Sequence, residues 1–288
     1  MLWYDGKLIE EASARFDLAD RGLLLGDGLF ETLPAFNGLP FLLDAHLDRM
    51  IRAADRLGLS LERARLSAAI CELAEVDPAP CVIRLTVTRG SGPRGLMPPK
   101  TLNPLVFSTR APWNPNLVFG SMTVATSSIR RNPTSPASSM KTLAYLDNVM
   151  GLQEAQMKGA DDALFLSPDG CVACTSMANL FIIKGNSLAT PPLSGSVLPG
   201  IMRQWMIDQA QDLGIEVSEK DLYPDDLLHA DGVFSTNSVR FLTRISALDG
   251  VELSNRNDLI YKRLFELNAA VVQVKCNGFE LVSPLMTG

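Results

Sequence analysis

Strand-like and helix-like segments alternate through both halves of the 288-residue chain, which predicts an α+β protein of two domains. Three observations carry the expectation: alternating apolar and polar strands bounded by Asn-Gly and Asp-Gly turns, apolar residues at helical spacing that end on glycine, and a break near the middle rich in proline and asparagine. The first ~40 residues read as strands: LWYDGKLIE, a turn through Asp20-Arg21-Gly22, then GLFETLPAF closed by the hairpin signal Asn37-Gly38. From Asp44 onward Leu47, Met50, Ile51, Ala54 and Leu57 fall at helical spacing, and Gly58 offers a stop. A second helix is expected from about Leu61 to Ala74, followed by the strand CVIRLTVT at 81–88 and the glycine-rich loop RGSGPRG.

APWNPN at 111–116 marks the break, so the domains are expected at 1–112 and 122–288 with a linker at 113–121. The second half opens with the strand MTVATSS and the polar loop RRNPTSPASS. A helix is then expected from about Thr142 to Lys158, with Leu143, Leu146, Val149, Met150 and Leu152 as its apolar face and Gly159 as its end. DALFLS and NLFIIKG flank the Pro168-Asp169-Gly170 turn, GIMRQWMIDQAQDLG reads as a helix, and IEVSEKDL and GVFSTNS read as strands.

Hydrophobic residues make up 47% of the chain and charged residues 20%, the balance of an ordinary soluble globular protein. The net charge of −6 comes with no basic run longer than Arg130-Arg131, which argues against nucleic acid and for a small-molecule partner. MLWYDGKLIEE at the N-terminus has no basic stretch leading into an apolar one. No window approaches the ~18 apolar residues that span a bilayer, so a cytoplasmic protein with no membrane partner is expected. The five scattered cysteines read as free thiols in that compartment. Cys171 and Cys174 spell C-x-x-C, but residues three apart on a strand point to opposite faces and no histidine cluster follows, so no metal is expected. His46 and His229 are the only histidines, and neither has a partner acid at informative spacing.

Seven segments, in order DRGLLLGDGLFET (20–32), HLDRM (46–50), TRGSGPRGL (88–96), KTLAYLDNV (141–149), ANLFIIKG (178–185), LPGIMRQ (198–204) and STNSVR (235–240), resemble the fold-type IV family of pyridoxal-5'-phosphate (PLP) enzymes. That family includes branched-chain aminotransferases, D-amino-acid aminotransferases and aminodeoxychorismate lyases, and the resemblance covers nearly the whole chain. It implies the two-domain fold of the D-amino-acid aminotransferase type, PLP as cofactor, a small amino substrate and a homodimer.

By that resemblance Lys141 is the lysine that carries PLP. The task needs an amine that is neutral at working pH, which burial brings about; read alone, Lys141 is a lysine at a helix start. Arg49 in HLDRM takes the phosphate-binding position, for which a planar guanidinium is suited, although Arg52 and Arg56 nearby also allow a solvated helix face. Gly200 in LPGIMRQ lets the backbone approach closely, and the amides of Ile201 and Met202 open a helix whose positive end favours an anion. Ser238 and Val239 match the second phosphate loop. Tyr145 is implied on the phenolate oxygen of the cofactor, one helical turn beyond Lys141, or is a core aromatic. Arg94 and Phe30 are implied at the substrate, with Arg94 as the positive charge for a carboxylate. Leu96 stands where the D-amino-acid enzymes carry a histidine, and Pro34 where aminotransferases often carry arginine or lysine.

One departure bears on the chemistry. Five residues before Asn179, where the family usually has a glutamate that keeps the pyridine nitrogen protonated, this chain has Cys174. A protonated ring is a deep electron sink, and a thiol with a reference pKa of ~8.5 is a poor proton holder. GIMRQ, TRGSGPRG and TNSVR look most like aminodeoxychorismate lyases, which release pyruvate from 4-amino-4-deoxychorismate and leave 4-aminobenzoate for folate. Aromatisation drives that reaction, so a shallow sink harms it less. The alternatives are an aminotransferase for D- or branched-chain amino acids and 2-oxo acids, and a PLP-binding protein whose activity is altered or lost with the glutamate.

Overall fold

A computed structural model describes residues 1–101, 103–254, 256 and 258–282. Two units emerge: Met1–Trp113 with Met140–Ala144 and Val272–Phe279, and Asn114–Ser139 with Tyr145–Val271. In the first, β1 (Leu2–Tyr4), β2 (Lys7–Ile9), β3 (Gly28–Phe36), β4 (Leu39–Pro40), β5 (Cys81–Thr88) and β6 (Leu105–Pro112) form a sheet in the order β2-β1-β6-β5-β3-β4. Its neighbours pair antiparallel. Asn37 and Gly38 take φ of 51° and 76° at the β3–β4 hairpin, the left-handed pair that a two-residue loop requires.

Two helices cover this sheet, α2 (Leu43–Arg56) and α3 (Arg63–Glu75). Leu47, Met50 and Ala54 of the first and Leu66, Ile70 and Leu73 of the second join Leu33, Ile83 and Leu85 in one core. The turn expected at Asp20-Arg21-Gly22 is instead the start of a short helix, α1 (Arg21–Leu25). The reason is local: the Asp20 carboxylate accepts from the amides of Gly22 and Leu23 and caps the first turn.

The helix expected from Thr142 begins only at Leu146, as α4 (Leu146–Met157). Residues 140–144 run extended along β3 instead. Thr142 bridges Leu29, the Phe30 amide donates to the Lys141 carbonyl (3.0 Å), and the Leu143 amide donates to the Gly28 carbonyl (3.0 Å). These non-local bonds satisfy the backbone that helical spacing alone assigned to α4. Lys141 therefore belongs with the first unit rather than with the 122–288 domain in which the sequence placed it. The extended path also removes the helical-turn relation between Lys141 and Tyr145, which is the N-cap residue of α4.

The second unit holds β7 (Ser121–Arg130), β8 (Asp162–Leu166), β9 (Val172–Thr175), β10 (Asn179–Lys184), β11 (Ser187–Thr190), β12 (Glu216–Glu219), β13 (Gly232–Asn237), β14 (Phe241–Leu248) and β15 (Val251–Glu252). The sheet order is β12-β11-β10-β13-β14-β7-β8-β9, with β15 on β14. Helices α5 (Ile201–Asp212), α6 (Pro224–Leu228) and α7 (Asp258–Lys275) follow α4 in the chain. The face that α4 turns inward is not the one its sequence suggests. Gly151 and Ala155 are buried, whereas Leu146, Val149 and Met150 are 68%, 49% and 48% exposed. A Cβ on Gly151 would lie 2.3 Å from the Phe165 ring, so only small residues allow the helix this close to β8. Among the described residues no helix is long and apolar enough to cross a membrane.

Candidate active site

Phe30 and Glu31 are consecutive on β3 and point to opposite faces of the sheet. Glu31 turns toward α2, where it is 1% exposed and held by two side chains one helical turn apart. Arg49 donates from Nε to Glu31 Oε1 (2.8 Å) and from Nη2 to Oε2 (2.6 Å), and His46 Nδ1 lies 2.7 Å from Oε2. A carboxylate only accepts, so His46 carries its proton on Nδ1. Burial opposes the charge on Glu31, but the Arg49 guanidinium and the bonds from Arg49 and His46 outweigh it and pull the carboxyl down to about 2. Burial pushes the His46 ring below its ordinary range despite Glu31. Arg49 is thus no solvated arginine, in contrast to the exposed Arg52 and Arg56. The acid partner of His46 sits on another element, where sequence spacing could not reveal it. His229, exposed after α6, lies 3.6 Å from Asp225 one turn back.

On the other face of β3 the Phe30 ring lies beside two cations. Lys141 Nζ is 4.2 Å from the ring centroid and Arg84 Cζ is 3.7 Å from it. Arg84 was passed over in the sequence, although alternation in CVIRLTVT puts it on one face with Val82 and Thr86, and Thr86 pairs with Phe30. The Lys141 amine is lowered from 10.5 to about 8, first by burial and then by the charges of Arg49 and Arg84, with Glu31 acting the other way. A neutral amine is therefore available at mildly alkaline pH.

Arg94 does not join this group. It is exposed on the loop after β5, which the buried Arg21 pins by donating to the carbonyls of Gly95 (2.9 Å) and Leu96 (2.7 Å).

In the second unit, Ile201 and Met202 begin α5 behind Gly200, and no side chain caps that helix. A Cβ on Gly200 would lie 1.8 Å from Asn179 Oδ1, and Asn179 is itself fixed by donating to the Leu198 carbonyl (3.0 Å). The first-turn amides are thus presented by a backbone cradle that only glycine completes. Gly200→Ala is expected to cost about 1–3 kcal/mol through this overlap, seen as a lower Tm in thermal unfolding. Ser238 and Val239 form the turn between β13 and β14, where the amides of Val239 and Arg240 donate to Asn237 Oδ1 (3.0 and 2.8 Å). The Val239 amide is therefore already engaged within the turn. Tyr145 is partly buried at the start of α4.

Cys174 lies on β9, 7% exposed, in a core with Ala163, Phe165 and Val197. Burial pushes its thiol up to about 11, with Arg131 pulling down and Asp162 pushing up, so it is neutral. Cys171 is half-buried in the preceding turn, and both thiols are free. Among the described residues no group of three or more His, Cys, Asp or Glu is placed to hold a metal ion.

The sequence profile described as Amino-transferase class IV matches residues 28–248. A Methanocaldococcus jannaschii protein, provisionally named a branched-chain-amino-acid aminotransferase, is 35% identical over 261 residues, covering 88% of this chain and 90% of that one. The aminodeoxychorismate lyase of Bacillus subtilis is 28% identical over 275 residues, with 91% and 94% covered. Among solved structures, the branched-chain aminotransferase of the archaeon Thermoproteus uzoniensis with norvaline matches with a TM-score of 0.85 at 27% identity, over 96% of this chain and 95% of that one.

Proposed function

The chain is an enzyme of the class IV amino-transferase family with the fold-type IV architecture, and on that premise we propose that it is a PLP-dependent lyase of the aminodeoxychorismate type. It would release pyruvate from 4-amino-4-deoxychorismate and leave 4-aminobenzoate, in the cytoplasm, for folate biosynthesis. The observation that carries this reading is the burial of Cys174, a neutral thiol that the family resemblance puts where a strongly electron-withdrawing ring would need an acid.

The other residues fit a phosphorylated aldehyde cofactor. Lys141 offers an amine near 8, the Gly200 cradle offers the amides of Ile201 and Met202, and Ser238 offers a hydroxyl. Arg49 would hold the phosphate in an orientation set by Glu31, Val239 would contribute to the same loop as Ser238, and the Tyr145 hydroxyl would bond the phenolate oxygen. When bound, PLP supplies an aldehyde that captures the amino group of the substrate and a ring that accepts electrons released at the adjacent carbon.

Lys141 Nζ takes the proton from the carbon that bears the amino group and returns one to the departing enolpyruvate. Arg84, steadied over Phe30, gives a fixed positive charge to a substrate carboxylate. Phe30 provides an apolar wall for the substrate ring. Because the product becomes aromatic, the substrate itself supplies driving force that the ring need not.

A second reading, amino transfer between a D- or branched-chain amino acid and a 2-oxo acid, is favoured by the 35% identity to the archaeal relative. Incubation with 4-amino-4-deoxychorismate separates the two. The lyase is expected to form pyruvate with no 2-oxo acid present; absence of pyruvate, with cofactor converted to its pyridoxamine form by an amino acid, would sink the lyase reading. A homodimer belongs to the same proposal. Leu23, Leu24, Leu25, Leu96 and Met97 in the first unit, and Leu146 and Val149 on α4, leave apolar surface that a second copy would cover.

A further inference from the structure

Phe30 holds Lys141 at two points. Its amide donates to the Lys141 carbonyl (3.0 Å), and the centroid of its buried ring is 4.2 Å from Lys141 Nζ. Arg84 Cζ lies 3.7 Å from the same centroid. Arg84 pairs across the sheet with Thr32, two residues from Phe30 on β3, so it shares the face on which the ring stands. One ring therefore serves two cations, and a backbone bond from the same residue fixes the segment that carries one of them.

The charged and titratable groups that act on the amine are Arg84 from β5, Arg49 and His46 from α2, and Glu31 from β3. Arg49 and Arg84 repel a charged amine. Glu31 attracts it, but from the opposite face of the sheet and with both oxygens already accepting from Arg49 and His46. On the amine's own side the ring face carries negative potential. Such a face attracts a cation within about 6 Å of the centroid, and more strongly where water is excluded.

The proposed reaction gives that contact a task. When Nζ takes the proton from the substrate carbon with its lone pair, the bonding electrons stay on the carbon and the amine becomes an ammonium. The ammonium must then keep the proton until the departing group receives it.

We propose that Phe30 is a positioning residue, whose ring face seats the Lys141 ammonium and keeps the proton carrier in one place between its two transfers. This rests on the PLP reading above and adds a charge-binding role to the apolar wall that the same ring provides. An aliphatic side chain of similar volume would fill the space and lose the attraction.

The test replaces Phe30, at that position alone in the full chain, with phenylalanines carrying one, three and five ring fluorines. Fluorine draws electron density from the ring face while nearly keeping its shape, which separates packing from attraction for a cation. The readout, taken before PLP is added, is the pH midpoint of the Lys141 13Cε resonance in lysine-labelled protein, assigned by its loss in Lys141→Ala. The midpoint is expected to fall with each step of fluorination, by roughly 0.5–1.5 pH units across the series. The same dependence is expected in an Arg84→Gln background, where Arg84 no longer shares the ring. A midpoint that stays constant or rises with fluorination, or a dependence that vanishes without Arg84, overturns the proposal while leaving the cofactor reading intact. PLP is then added to the same samples and trapped with borohydride, and absence of label on Lys141 overturns both.

Discussion

Lys141→Ala is expected to abolish turnover, a loss of at least about a thousandfold, because in the proposed function one amine would serve both as the attachment point of the cofactor and as the proton carrier. The fold should survive the change. Lys141 is crowded by Arg49 and Arg84, and its charged form is disfavoured by burial, so alanine relieves the first unit of an unwelcome cation. The sign of the linkage makes this measurable. Between about 8 and 10.5 the unfolded chain binds the lysine proton and the folded chain does not, so wild-type stability rises with pH across that window. Thermal unfolding should accordingly show Lys141→Ala as the more stable protein below about 8, with the difference disappearing above 10.5. An alanine variant that is less stable at neutral pH would mean that the amine is held by favourable contacts.

Glu31→Ala carries the largest expected effect on stability, a loss of about 3–5 kcal/mol, because it leaves the buried Arg49 guanidinium without its carboxylate and His46 Nδ1–H without its acceptor. Denaturant unfolding reads the loss directly. The same group sets the acid limit of the wild type. With its folded pKa drawn down to about 2 from 4.5, Glu31 contributes stability that is present above 4.5 and lost as pH falls toward 2. His46 adds in the same sense, since a ring buried neutral must charge as pH drops below its ordinary range. Glu31→Ala should therefore lose the steep acid limb of the wild-type profile. Retention of that limb would assign it to other carboxylates.

The sequence showed the fold where local pattern and tertiary structure agree. The alternation of GLFETLPAF and CVIRLTVT became β3 and β5, the spacing from Asp44 became α2, and Gly214 follows the end of α5. It misled where non-local contacts decide. Leu143 and Leu146 fit a helical period, but bonds to β3 draw residues 140–144 into an extended path, and the apolar side chains of α4 lost the inward face to Gly151 and Ala155. At the site, motif order singled out Lys141, whose amine burial and the charges of Arg49 and Arg84 lower to about 8. Glu31 and Arg84 escaped notice for one physical reason: each matters through a partner on another element, Arg49 and His46 for one and the Phe30 ring for the other. No spacing within a segment records such a contact.

Borohydride reduction of the purified protein with PLP, followed by peptide mapping, identifies the lysine that holds the cofactor. A visible absorption band that reduction bleaches is expected, with the label on Lys141 and both absent from Lys141→Ala. A label on another lysine, or no label at all, would contradict that expectation.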